Sequence, residues 1–412
     1  MRLRSHPALA LLLLTGLNFL NYIDRSVLPA VQPLIQKELH RSDADMGWLA
    51  SVFFFFYMCT APFMGALADR YSRRIIVTLG AMVWSGATLL TAITYDYTSL
   101  LVRHTIVGIG EASFVTIAPA LIADFYPEHR RGRMLAIFYL GLPVGTALGY
   151  LLGGYLGSRH GWRAPFLIAA APGFLLALLL LILPEPPRGS SDSLAPTPER
   201  ATFRGLFRNP GYWSGSLAMA MLTFALGGLS NWMPTFLFRV RGMPLEKANL
   251  FFGGILAFDG IVATLAGGWL GDYLLRRNKG AYYQVSGAGL LAALPLMVLA
   301  IYGGSWWMLL ALWSATFFLL LNTSPLNAAI INSVAGPIRS TAIAVNLFVI
   351  HILGDVPSPP LMGYISDRTS SLQTAFIPAM IAVAIAAAIC FYGMRFAPEI
   401  PAAHSSAQAH RA

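Results

Sequence analysis

Two adjacent side chains of opposite charge, Asp24 and Arg25, close the apolar run LALLLLTGLNFLNYIDR, and a second acid, Glu111, lies eight residues beyond Arg103 in RHTIVGIGEASF. Such residues are costly in an apolar segment unless they are paired or face a polar cavity. A dry surrounding favours the neutral form of a carboxyl group, and a nearby guanidinium favours its charged form. Moving the guanidinium therefore changes how readily the acid takes a proton. Glu111 is the leading candidate for proton coupling and Asp24 the second. Arg25 suits a phosphate or carboxylate, whose oxygens match the guanidinium fork. Asn18, Asn21, Tyr22 and Arg25 recur at helical spacing and give the first segment one polar face. Arg103, Val107 and Glu111 recur every four residues, which predicts both charges on one face, about 12 Å apart along the axis.

The elements that must position these groups are long and apolar. Of 412 residues, 56% are hydrophobic and 11% charged, against roughly 25% charged in soluble domains. Candidate spans lie near 8–31, 46–68, 75–95, 98–122, 134–157 and 163–183, then near 212–237, 249–271, 281–302, 306–332, 338–364 and 372–394. Each reaches the roughly 20 residues that a helix needs to cross a hydrocarbon layer. Helices satisfy their own backbone there, so the expected fold is all-α, a polytopic membrane protein of twelve transmembrane helices in two six-helix bundles. The first run continues through Asn18, Asn21, Asp24 and Arg25 without a small-residue cleavage site, and reads as a span rather than a signal peptide. Cys59 and Cys390 each fall inside a span and offer neither a disulfide framework nor a metal cluster.

The net charge of +10 reads as topology. With the N-terminus inside, 18 of the 28 basic residues fall on the cytoplasmic side, eight outside, and two, Arg25 and Arg103, within spans. That imbalance is the positive-inside pattern and predicts cytoplasmic termini. Nucleic acid is not an expected partner.

The longest polar stretch, Leu183 to Pro210, is rich in Pro and Ser and separates the sixth span from the seventh. It divides the chain into an N-terminal bundle (1–183), a cytoplasmic linker (184–210) with a short helix around Phe203–Phe207, a C-terminal bundle (211–396) and a tail (397–412). The halves echo one another. GALADRYSRR, residues 65–74, and GWLGDYLLRR, residues 268–277, repeat Gly, Asp and an Arg pair at an offset of 203. Repeats of this kind mark transporters whose halves rock around a central site. Asp69, Arg70, Arg73 and Arg74 in the first copy, with Asp272 and Arg276 in the second, are accordingly expected to gate. The simpler alternative is a static ion pair that anchors topology.

GALADRYSRR resembles the signature loop of the major facilitator superfamily, with Ser72 where the family usually has glycine. RHTIVGIGEASF resembles its fourth-helix motif, PEHRRGRM the cytoplasmic loop that follows, and GLPVGTALGYLLGG its glycine-rich fifth helix. NYIDRSVLPAVQPLIQ, Glu111 and GDVPSPPLMGYISD resemble the Spinster group, whose members carry sphingosine phosphate and lysophospholipids, some coupled to protons. The resemblance runs from Leu9 to Arg395.

The resemblance implies that the first and fourth helices line a central cavity where Asp24, Arg25 and Glu111 meet. Two roles then stand for an Arg25–Glu111 pair: a coupling switch, or a permanent bridge that orients helices. Asn21, Tyr22, Arg25, Arg103, Phe114, Tyr139, Trp232, Asn322 and Asn327 are the expected substrate-binding residues. Asp355, in a stretch broken by three prolines and two glycines, is assigned to an outer gate with Asp367 at its edge, while Asp259 and His351 are left unassigned. The expectation is a proton-coupled secondary transporter of a small amphipathic lipid, working by alternating access. A transporter of a soluble organic anion or drug-like compound is the alternative. No metal ligand set, nucleophilic triad or nucleotide loop is present, so no enzyme and no cofactor are expected. The expected setting is a monomer in the bacterial inner membrane.

Overall fold

The computed structural model describes residues 7–187, 203–304, 307–334 and 338–397. Among these residues, twelve helices are long and apolar enough to span a membrane: α1 (Pro7–Leu39), α2 (Asp43–Arg70), α3 (Arg73–Thr91), α4 (Tyr97–Phe125), α5 (Arg130–His160), α6 (Arg163–Leu180), α7 (Pro210–Arg239), α8 (Leu245–Leu275), α9 (Ala281–Tyr302), α10 (Trp307–Asn332), α11 (Thr341–Thr369) and α12 (Thr374–Phe396). The protein is thus an all-α, multi-pass membrane protein. The short helix expected between the halves is present at Phe203–Phe207. Residues 188–202 of the expected linker, and the tail beyond 397, lie outside the described residues.

Helix ends follow local chemistry. Ser42 and Asp45 form a reciprocal capping box at the start of α2. Ser72 caps α3, its hydroxyl accepting from the Ile75 amide. Asp96 caps α4 by accepting from the Ser99 amide at 2.8 Å, and its bonds to Ser99 hold its carboxyl below the usual carboxylate range. Gly161 ends α5 with φ +83, a left-handed turn that favours glycine.

Three spans are interrupted. In α5 the helix breaks at Leu140, between Glu128–Tyr139 and Gly141–His160. In α10 it breaks between Leu320 and Thr323, ahead of Pro325, which cannot donate to the Leu321 carbonyl. In α11 a π-helical turn, His351–Asp355, precedes a fresh α-helix, Ser358–Thr369, that has proline in its first turn. π-turns often accompany functional sites because they re-aim the side chains they carry.

The chain forms two compact units. One comprises Met1–Pro198, Phe224–Gly260 and His351–Ala379; the other comprises Glu199–Thr223, Ile261–Ile350 and Met380–Ala412. Within the first, α1 and α5 approach closely. A Cβ at Gly149 would lie 2.6 Å from both the Ile23 carbonyl oxygen and the Ser26 Cβ, so glycine is what lets α5 support the Asn21–Arg25 turn. Asn18 adds a hydrogen bond to the Phe138 carbonyl, at 2.8 Å, beside the break in α5. The core of this region gathers Leu14, Leu17, Val77, Trp84, Phe114 and Phe138. In the second unit, Leu206, Tyr212, Ile330, Val334 and Ala342 form a smaller cluster, with the Tyr212 hydroxyl donating to the Ala342 carbonyl at 2.7 Å.

Candidate functional site

Arg25 and Glu111 form an ion pair, Nε to Oε2, at 2.7 Å. Glu111 is fully buried, whereas the Arg25 side chain keeps 16% exposure. Three aromatic rings surround the guanidinium: Tyr22 at 5.2 Å, Phe53 at 4.9 Å and Tyr57 at 4.8 Å from its central carbon. Such faces attract a cation and exclude water from it. The pair is held by a single bond. Arg25 Nη2 and Glu111 Oε1 are buried and have no hydrogen-bond partner among the described residues.

Asp24 faces elsewhere. Neighbouring residues on a helix diverge by about 100°, and the Asp24 carboxylate accepts from the Thr88 hydroxyl of α3 at 3.4 Å. Asn21 is fully buried on the same helix. Of the three ionisable groups expected to meet, Arg25 and Glu111 bond directly, while Asp24 sits beside them with its own partner.

A cavity of about 290 Å³ lies within the first compact unit. Tyr22, Arg25, Phe53 and His104 line one part of its wall; Asn231, His351 and Asp355 line another. His351 Nδ1 is 2.7 Å from Asp355 Oδ2, one helical turn apart in number and both within the π-turn of α11. Phe54 stacks on His351 at 6.0 Å, and Tyr57 meets it edge-on at 5.8 Å. Tyr57 therefore touches both the Arg25 guanidinium and the His351 ring.

Several expected binding residues are engaged with partners of their own. Arg103 donates to the Leu90 carbonyl and the Thr94 hydroxyl at the end of α3. Its eight-residue separation from Glu111 leaves the two about 80° apart around the helix, because 3.6 does not divide eight. Phe114 packs in the core against Trp84 and Phe138, at 5.6 and 6.0 Å. Tyr139 is half-exposed and rests edge-on against Phe138. Trp232 is buried and donates to the Pro359 carbonyl at 3.0 Å, tying α7 to α11. Asn322 donates to the Phe318 carbonyl at 2.7 Å and Asn327 to the Thr323 carbonyl at 2.8 Å, each within its own span.

The repeated loops are bonded differently. In the first, Arg73 pairs with Asp124 and, at 3.8 Å, with Glu185. Glu185 also accepts from the Ser72 hydroxyl and from the Arg73 amide, the latter at 2.8 Å. Arg74 donates to the Leu181 carbonyl at 3.1 Å and to the Leu183 carbonyl. Asp69 and Arg70 lie exposed in the last turn of α2. In the second copy, Asp272 accepts from the Tyr282 hydroxyl at 2.7 Å, and Arg276 is exposed.

One cluster escaped the sequence reading except for Asp367, which was placed at the edge of an outer gate. The buried Asp43, at the start of α2, accepts from Gln36 of α1, from Arg239 of α7 at 2.6 Å and from Ser366 of α11. The Asp367 carboxylate in turn accepts from the Asp43 and Ala44 amides, at 2.9 and 2.8 Å. A carboxylate at a helix N-terminus satisfies free amides and the helix dipole together. The sequence SDAD signals a cap and nothing more, so its long-range partners left no local trace. His104 and Glu185 were likewise missed, each being an unremarked polar residue without a repeat.

The sequence profile described as Major Facilitator Superfamily matches residues 14–354. "Protein spinster homolog 1" of Xenopus laevis is 32% identical over 413 aligned residues, covering 94% of this chain and 78% of that protein. "Sphingosine-1-phosphate transporter SPNS2" of Xenopus tropicalis is 32% identical over 390, covering 90% and 76%. Among solved structures, a bacterial homolog of the human lysosomal transporter Spinster, in an inward-facing and occupied conformation, superposes with a TM-score of 0.84 at 25% identity, covering 96% of this chain and all of that one.

Proposed function

The chain belongs to the Major Facilitator Superfamily and within it to the Spinster-like transporters, and from that premise we propose that it carries a small amphipathic lipid by proton-coupled alternating access. The observation that carries this reading is the Arg25–Glu111 pair, a single 2.7 Å bond whose arginine lines a cavity. An anionic headgroup competing for Arg25 releases Glu111, and a released carboxyl in a dry site takes up a proton. Substrate binding and proton uptake are thereby linked through one guanidinium. Asp24, bonded only to a hydroxyl, is the second proton-binding group.

A relative named for sphingosine-1-phosphate transport supports a lysophospholipid or sphingoid-phosphate substrate. The aromatic rings around Arg25 suit the junction between such a headgroup and its tail. In this reading the halves 1–183 and 211–396 rock about the cavity, and the Asp69–Arg74 and Asp272–Arg276 loops bias that motion. The distribution of basic residues supports cytoplasmic termini and an inner-membrane location. The working unit is a monomer.

The test is transport by purified protein in liposomes, with lysophospholipid, sphingoid phosphate and a soluble organic anion, at two pH values. Wild type is expected to move the lipids faster under an imposed proton gradient. Glu111→Gln is expected to remove the response to the gradient while leaving counterflow exchange. A folded Glu111→Gln protein with unchanged pH dependence would overturn the coupling assignment, and transport of the soluble anion alone would overturn the lipid assignment.

A further inference from the structure

His104 of α4 is a buried titratable side chain that the coupling scheme does not use. It keeps 7% exposure and lines the same cavity as Arg25. Its ring makes no hydrogen bond and no ion pair among the described residues, and it lies against Phe53 at 5.5 Å. Both ring nitrogens are therefore left for what the cavity holds. Imidazole is the side chain that accepts a proton at one nitrogen while giving one up at the other.

Its position relates it to Glu111. The two are seven residues apart on α4, within about 20° of two full turns, so they share one face about 10 Å apart along the axis. Gly108 lies between them on that face. A Cβ there would come within 2.5 Å of the Phe53 carbonyl oxygen, so the backbones of α2 and α4 meet at this level. The Phe53 ring accordingly touches both stations, 5.5 Å from the imidazole and 4.9 Å from the guanidinium that holds Glu111. The other ionisable groups on this cavity have partners of their own: Arg25 is held by Glu111, His351 by Asp355, and Tyr150 by the Ser230 carbonyl. Tyr22 faces the Arg25 guanidinium, and Tyr57 stacks on Phe53. From α3 there is none, since that helix has no titratable residue after Arg74.

We propose that His104 is a proton relay that loads Glu111 from the membrane face at which α1 ends. α4 begins at that face, where Tyr97 donates to the Asp45 carbonyl at 2.8 Å, so His104 lies nearer to it than Glu111 does. The positive-inside pattern makes it the outer face. A proton from water there binds one ring nitrogen. The proton on the other nitrogen leaves to cavity water, and that water passes one on to the Glu111 carboxylate. One proton enters and one arrives, and the ring regains its first tautomer by exchange with water. The proposal rests on the reading of Glu111 as the coupling acid.

The experiment follows Glu111 itself and needs no substrate. Purified protein in detergent is given a light-triggered drop in pH through the carboxyl range. Time-resolved infrared spectroscopy reads the carbonyl band of protonated carboxyls, and Glu111→Gln identifies the part that belongs to Glu111. His104→Gln is expected to slow the rise of that part about tenfold, as loss of a proton-transfer group does, and to leave its final size unchanged. A relay alters how fast the proton arrives, whereas a merely structural residue alters how well the acid holds it. His104 bonds nothing, so its replacement strands no partner. His104→Ala is the second variant, and free imidazole added to it should restore the wild-type rate. Equal rates with and without His104, rate and final size changing together, or a slow rate that imidazole does not restore each overturn the relay. Equal rates would leave Glu111 standing as the coupling acid. Identical spectra from wild type and Glu111→Gln would instead show that Glu111 takes up no proton, and the coupling reading and the relay would fall together.

Discussion

Two buried carboxylates, Glu111 and Asp43, are each held by an arginine in this molecule, yet they are built for opposite tasks. Glu111 has one ion pair, to Arg25, with the Asn21 side chain beside it. Asp43 accepts from side chains of three other helices, while its own amide is bound by Asp367. A charge with one partner can be exchanged for a ligand in a single step. A charge with several partners can leave only if several bonds break together, which makes it a fastening. The contrast suits a transporter: the exchangeable pair lines the cavity, and the fastening ties α1, α2, α7 and α11 where α1 ends.

The largest effect should come from breaking the exchangeable pair on one side. Arg25→Gln leaves Glu111 buried without its counter-ion, at a cost of about 3–5 kcal/mol to the folded protein. Removing both charges, in Arg25→Gln with Glu111→Gln, should restore most of that loss, because the pair is one-to-one. Thermal melting in detergent reads both variants. A double variant no more stable than Arg25→Gln would mean that the pair has partners beyond each other, and the contrast with Asp43 would weaken.

Asp43→Asn should cost less, about 2–3 kcal/mol, since the amide keeps an acceptor for some of its donors. Here no second substitution should rescue. Adding Arg239→Gln, Gln36→Ala or Ser366→Ala to Asp43→Asn removes one donor and strands the others. Recovery of wild-type melting by any one of these pairs would show that the cluster is in fact a single ion pair with bystanders.

How much of this was legible in the sequence depends on the range of the interaction. The spans, the break at GDVPSPP and the short helix near 203–207 follow from apolar length, proline and glycine, which act locally. The polar face of α1 that carries Arg25 also followed from spacing, and its proximity to Glu111 from the family resemblance. Direction around a helix was less secure: four-residue spacing grouped Arg103 with Glu111, but the accumulated drift turns Arg103 toward Thr94. Ser72 stands where the family usually has glycine, yet its hydroxyl caps α3 and reaches Glu185. Partners hundreds of residues apart, such as Asp43 with Ser366, have no periodicity to betray them. Local patterns identify what a residue can do near its own backbone; only packing decides which distant group it answers to.

The smallest predicted effect on stability separates the two carboxylates most cleanly. Gly149 supports the turn of α1 that carries Arg25, and α5 approaches there too closely for a side chain. Gly149→Ala should push Ile23 and Ser26 aside at about 1–2 kcal/mol, within the usual range for overpacking. The displaced residues flank Asp24 and Arg25, whereas Gln36 lies three turns further along α1, or about 16–20 Å by helical rise. Gly149→Ala should therefore disturb headgroup binding and the pH response of transport while leaving the Asp43 cluster intact. Cysteine pairs bridging residues beside Asp43 and Asp367 should cross-link as in wild type. If cross-linking at that end falls in step with transport, then α1 moves as one rigid rod, and the exchangeable pair and the fastening are two ends of the same lever.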